Sequence, residues 1–80
     1  MHLTILTTDK KVFEGEVATA KFPGDQGPFQ VLQGLAPLIS TLSRGTIFYT
    51  DSAGDHTVAI ERGVVEVLND KMIVLAEKVY

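Results

Sequence analysis

Eighty residues carry seven Lys and Arg against ten Asp and Glu, a formal net charge of −3, with 45% apolar and 21% charged side chains and no cysteine. That balance lacks the basic surplus on which nonspecific nucleic-acid binding runs, is too apolar for a disordered chain, and leaves neither a disulfide framework nor a thiolate metal site to brace the fold. The length suits one domain, residues 1–80, burying roughly 60 to 65% of its unfolded surface, and no apolar run approaches the ~20 residues that span a bilayer.

Residues 3–7 read as a first strand, with Leu3 and Ile5 on one face among β-branched neighbours. The start, Met1-His2-Leu3-Thr4-Ile5-Leu6, lacks the positive region, long apolar stretch and cleavage site of a signal peptide, so the chain is expected to be soluble and to meet a membrane only through a partner. Thr8-Asp9-Lys10-Lys11 forms a polar turn. A second strand is expected over residues 12–22, with Gly15 marking a bulge or a close backbone approach. Its alternation sets Val17, Thr19 and Lys21 opposite Ala18, Ala20 and Phe22.

Turn residues then crowd together. Pro23-Gly24 favours a type II turn, with glycine supplying the positive φ, and Asp25 and Gln26 make a polar tip. Gly27-Pro28 restarts an extended segment, residues 29–33, which Pro28 confines to an edge or a strand beginning. Gly34 breaks it, Pro37 restricts Ala36, and Leu38, Ile39 and Leu42 add apolar weight before Ser43-Arg44-Gly45 turns the chain. Residues 46–50 are dense in β-branched and aromatic side chains, residues 51–55 have the composition of a hairpin loop, and residues 56–61 alternate as a strand. Residues 64–68 and 72–76 pair across Asn69-Asp70, a turn tolerant of positive φ. No stretch keeps a helical period, and short strands at near-regular spacing predict an all-β sandwich or barrel. Ile5, Val17, Ile47, Val58, Val65 and Val74 are the expected core.

Chemistry-bearing residues are sparse. His2 and His56 have no second His or Cys at ligand spacing, so no metal site is expected. Asp55-His56 with Ser40, Ser43 and Ser52 lacks a Gly-x-Ser-x-Gly elbow, and no catalysis is expected. Gly24-Asp25-Gln26-Gly27 has the outline of a nucleotide-clamping Gly-x-x-Gly loop, but its carboxylate would repel phosphate.

The spaced set Pro23, Gly24, Gly27, Val31, Gly34, Ala36, Pro37, Leu38, Leu42 and Gly45 resembles the signature of the epsilon subunit of F-type ATP synthases, called delta in mitochondria. Lys11-Val12-Phe13-Glu14-Gly15, Arg62-Gly63-Val64-Val65-Glu66-Val67 and Ile73-Val74-Leu75-Ala76-Glu77 extend the resemblance over nearly all of the chain. It implies a flattened antiparallel β-sandwich of two sheets and a non-catalytic central-stalk role, coupling rotation to ATP synthesis with no cofactor. Gamma and the ring of c subunits would be the partners, and the complex would sit peripherally on the cytoplasmic face of the bacterial inner membrane. With the chain ending at Tyr80, the family's C-terminal helical hairpin is not expected, nor the ATP binding that goes with it.

Carried over by position, the resemblance puts Asp25, Gln26, Pro28, Gln33 and Leu35 near the c ring and Leu38 and Leu42 near gamma. Leu35 stands where the family commonly has histidine, and Gln30 and Gln33 stand where glycine and proline are usual. The alternative is a free-standing β-sandwich module that binds a peptide or small ligand.

Overall fold

The computed structural model describes residues 1–34 and 36–80, so Leu35 lies outside the described residues. Among these there is no helix; nine strands form two sheets. They are β1 (His2–Leu6), β2 (Lys11–Glu16), β3 (Thr19–Phe22), β4 (Phe29–Val31), β5 (Leu38–Leu42), β6 (Gly45–Asp51), β7 (Gly54–Ile60), β8 (Gly63–Leu68) and β9 (Lys71–Ala76). One sheet runs β2-β1-β9-β8-β5 and the other β4-β3-β6-β7. The fold measures 28 × 27 × 19 Å, the flattened sandwich expected. All pairings are antiparallel except β1 with β9, which run side by side in the same direction.

The expected strand over residues 12–22 is two strands in different sheets. The Val17 N–H donates to the Met1 carbonyl at 2.8 Å, while the Ala18 N–H donates to the Thr50 carbonyl at 2.8 Å, so adjacent amides serve opposite layers. This step restarts the alternation. Val17 is buried, as expected, yet so are Ala20 and Phe22, which a continuous strand would have put on the other face.

The core lies between the sheets. Leu3, Ile5, Val65, Val67, Met72, Val74 and Ala76 face inward from one side, and Ala20, Phe22, Val31, Ile47, Tyr49 and Ile60 from the other. Val58, expected in the core, is only partly buried and packs against it. One aromatic pair spans the gap, Phe13 on β2 meeting Tyr49 on β6 with centroids 4.4 Å apart, while Phe22 and Phe29 pair within the four-stranded sheet at 5.7 Å.

Two turns follow the residue chemistry closely. Asn69 and Asp70 have φ of 52° and 60°, the pair of left-handed conformations of a type I′ hairpin, which short polar side chains tolerate. Gly54, at φ 122°, closes the β6–β7 hairpin.

Inward and outward aromatics should respond differently to truncation. Phe22 is 1% exposed and Phe48 is 50% exposed on the outer face. Phe22→Ala is expected to cost about 3 to 5 kcal/mol, a large part of the ~4 to 12 kcal/mol typical for this size. Phe48→Ala should stay within about 1 kcal/mol of the parent. Urea unfolding of both variants checks the assignment, and equal losses would contradict it.

Candidate functional site

The loop from Pro23 to Pro28 is held by glycine for a reason other than the one expected. Gly24 is not in a positive-φ conformation; it is buried, and a Cβ there would come within 2.8 Å of the Gly27 carbonyl oxygen and 2.9 Å of the Phe29 ring. Close approach requires glycine here. The positive φ, 117°, falls at Gly27, whose N–H donates to the Gly24 carbonyl at 3.0 Å across Asp25 and Gln26.

Asp25 ties this loop to the other sheet. Its N–H donates to the Thr41 carbonyl at 3.1 Å, and the Ser43 N–H donates to the Pro23 carbonyl at 2.8 Å. The hydroxyls of Ser43 and Thr41 each donate to one oxygen of its carboxylate. Those donors, Ser43 first and Thr41 second, hold the Asp25 carboxyl below the usual carboxylate range. A group expected at a polar tip is thus tied down at the surface by two hydroxyls of β5 and the turn after it, and Asp25, Gln26 and Pro28 are all exposed.

The proposed ring-facing residues do not share one rim. Strands β3 and β4 pair Phe22 with Phe29 and Ala20 with Val31, so residues 23–28 leave one end of the sheet and residue 32 leaves the other. Gln33 is exposed at that second end, where the Gly34 N–H donates to the Asp70 carboxylate at 3.2 Å beside the β8–β9 turn. Asp25, Gln26 and Pro28 thus form one group and Gln33 another. The two residues expected near gamma also differ. Leu38 is half-buried, whereas Leu42 is 2% exposed and part of the core, because its alternation on β5 turns it inward. Its side chain is a packing group, not a surface contact.

The outer face of the five-stranded sheet carries what residue-by-residue transfer missed. Across β5, β8, β9, β1 and β2, Ile39, Glu66, Ile73, Thr4 and Glu14 form one row, and Thr41, Val64, Leu75, Leu6 and Lys11 the next. Ile39 is 72% exposed, with Leu68, Ile73 and Leu75 each close to half exposed. The signal was present: Met72-Ile73-Val74-Leu75-Ala76 is apolar at every position, the pattern of a strand covered on both faces. At the β1–β2 flank this apolar field gives way to an ionic cluster of His2, Glu14, Glu16 and Lys11.

The outer face of the other sheet is more polar, with Thr19, Lys21, Gln30, Thr50 and Asp55 around the exposed Phe48, and only shallow open grooves flank that ring. His56 is structural. Its Nε2 lies 2.8 Å from Asp51, its ring stacks on Tyr49 with centroids 5.1 Å apart, and the contact holds the Asp51 carboxyl low. Two of the three serines donate to protein acceptors, Ser43 to Asp25 and Ser40 to the Thr41 carbonyl. Among the described residues, no three His, Asp or Glu side chains are arranged to hold a metal ion.

Residues 1–80 match the family described as ATP synthase, Delta/Epsilon chain, beta-sandwich domain. An ATP synthase epsilon chain from Nitratidesulfovibrio vulgaris is 38% identical over 77 residues, covering 96% of this chain and 58% of that protein. Another, from Caulobacter vibrioides, is 31% identical over 77 residues, covering 96% of this chain and 90% of that protein. Several of the matched relatives are thus much longer than the 80 residues here. In fold, a chain of the Euglena gracilis mitochondrial ATP synthase superposes with a TM-score of 0.88 at 20% identity, covering 98% of this chain and 51% of that one. A chain from the central stalk and c-ring of the Tetrahymena thermophila mitochondrial enzyme gives 0.81 at 11% identity, covering 99% and 64%.

The Asp25 contacts make a test by acid titration. A carboxyl with a depressed folded pKa contributes stability that is present above its ordinary value, about 3.9, and lost as pH falls through the depressed one. Carboxyl NMR should show Asp25 titrating below that value, and Ser43→Ala should move it back up. Acid unfolding of Asp25→Asn should be less steep below about pH 4 than that of the parent. An Asp25 titrating at its ordinary value would remove the argument.

Proposed function

The chain belongs to the ATP synthase delta/epsilon family through its β-sandwich domain, and from that premise we propose that it is a non-catalytic central-stalk subunit of a proton-translocating F-type ATP synthase. It binds gamma and the c ring and passes the rotation of one to the other. The observation that carries this reading is the apolar outer face of the five-stranded sheet, with Ile39, Leu68, Ile73 and Leu75 in the open. Large apolar side chains grouped in the open on one face are what a partner would cover. Gamma is assigned to this face, with Ile39 of β5 as its most exposed apolar contact; Leu38, beside it, shares the inward side of β5 with Leu42.

The c ring is assigned to the end formed by residues 23–28. Its backbone is stitched to β5 through Asp25, so Gln26 and Pro28 present a fixed outline to a moving neighbour. Gln33 sits at the far end and has no part in the same ring contact. The role requires stiffness, and close-packed interiors supply it because they compress little. A permanent contact to both partners should exceed the ~1,600 Å² of a standard interface, with an apolar centre and a polar rim. Membrane association is peripheral and indirect, through the complex, at the cytoplasmic face.

Co-elution tests the reading. The domain mixed with gamma from the same organism, at micromolar concentration and low salt, should run as a complex. Ile73→Asp with Leu75→Asp should abolish co-elution while leaving the unfolding temperature within a few degrees of the parent, because both side chains point outward. Absence of binding by the parent domain would favour a free-standing ligand-binding module, and undiminished binding by the double variant would move gamma to another face.

A further inference from the structure

Edge strand β2 is joined to its sheet only through β1. On the outer face it presents Glu14 and Glu16, two residues apart and therefore on the same side. Opposite them on β1 stands His2. Its Nε2 lies 3.0 Å from Glu14 Oε2 and its Nδ1 lies 3.3 Å from Glu16 Oε1.

The donor count decides which form of the ring fits. A neutral imidazole carries one N–H, so it can donate to one carboxylate and must turn a lone pair toward the other; only the imidazolium donates to both. The remaining charges are arranged around this pair. From β2, Lys11 pairs with Glu14. The Met1 ammonium lies 3.3 Å from Glu16 Oε2 and donates to the Val17 carbonyl at 3.3 Å. From β9, Lys71 is the register partner of His2, and the backbone N–H of His2, not its ring, donates to the Asp70 carbonyl at 2.9 Å.

We propose that the His2 imidazolium is a proton-controlled clasp that fastens edge strand β2 to the five-stranded sheet by bridging Glu14 and Glu16, and that loss of its proton loosens that edge. The proposal is independent of the partner assignment above. The hydrogen bond to Glu14, and after it the bond to Glu16, raise the His2 pKa above its ordinary value against some desolvation. A raised folded value fixes the sign. The clasp is fully closed below the ordinary histidine pKa of about 6.5 and opens as pH rises through the raised one.

The test combines ring titration with amide exchange on the whole chain. By NMR, His2 should titrate above about 6.5 and return toward that value in the Glu14→Gln, Glu16→Gln double variant. Between about pH 5.5 and 8.5, protection of the β2 amides, corrected for intrinsic exchange, should fall by about two- to five-fold, the scale of an exposed ion pair, while β8 amides hold steady. His2→Gln should keep the fold and show no such step, with β2 protection at the parent's high-pH level throughout. That variant also separates the ring from the Met1 amino group, which it leaves in place. The clasp is overturned if His2 titrates at or below its ordinary value, or if the protection step persists in His2→Gln.

Discussion

Neither sheet could stand alone, and the contact between their inner faces is the constraint on which everything else rests. An isolated sheet of four or five short strands exposes one apolar face to water and gains stability only by covering it. Phe22, Val31, Ile47 and Ile60 supply one cover and Leu3, Ile5, Val65, Met72 and Val74 the other, all essentially without solvent exposure. No charged or polar side chain is buried among them in the described residues. Contact between the inner faces is thus hydrophobic, with hydrogen bonds between the layers kept to the loops, as at Asp25, while register comes from the strands' own ladders.

Once the inner faces are spent on each other, function falls to the outer faces and the ends. The outer faces are unlike. Over β5, β8 and β9 the five-stranded one exposes Ile39, Leu68, Ile73 and Leu75 among Thr41, Glu66 and Lys71, and at the β2 edge it is ionic, whereas the four-stranded one is polar around the ring of Phe48. The ends are unlike as well. One is a loop cross-tied through Asp25, and the other leans on the Asp70 turn through Gly34. Among the described residues the two faces and the two ends thus differ in chemistry, and most of the exposed apolar side chains lie on the outer face of the five-stranded sheet.

Much of the fold was legible in the residues. Period-two alternation located most strands, and Asn69-Asp70 announced its turn because few residues accept positive φ. The boundary at residues 17–18 was not legible, since Glu16 through Lys21 alternates plausibly and only the hydrogen-bond partners reveal the change of sheet. The Pro23-Gly24 pair suggests a positive φ at Gly24, whereas the structure needs its missing Cβ, because composition cannot distinguish a glycine needed for its φ from one needed for close approach. The site was less legible still. Transfer by family position treated residues 25–33 as one rim, although the Phe22–Phe29 pairing sends their two halves in opposite directions. Leu42 was misplaced because apolar character alone does not say which face of β5 it takes.

The chain passes between layers four times, between β2 and β3, β4 and β5, β5 and β6, and β7 and β8. A stack of two sheets held by oily contact alone would slide under lateral load, since dispersion and water exclusion resist separation far better than shear. Here covalent backbone crosses the joint repeatedly, at Val17-Ala18, Ser43-Arg44 and Glu61-Arg62 among other places, so a sideways force is taken up in bond tension at several corners at once. The result is a laminate sewn through its thickness, which cannot creep layer over layer without first unravelling.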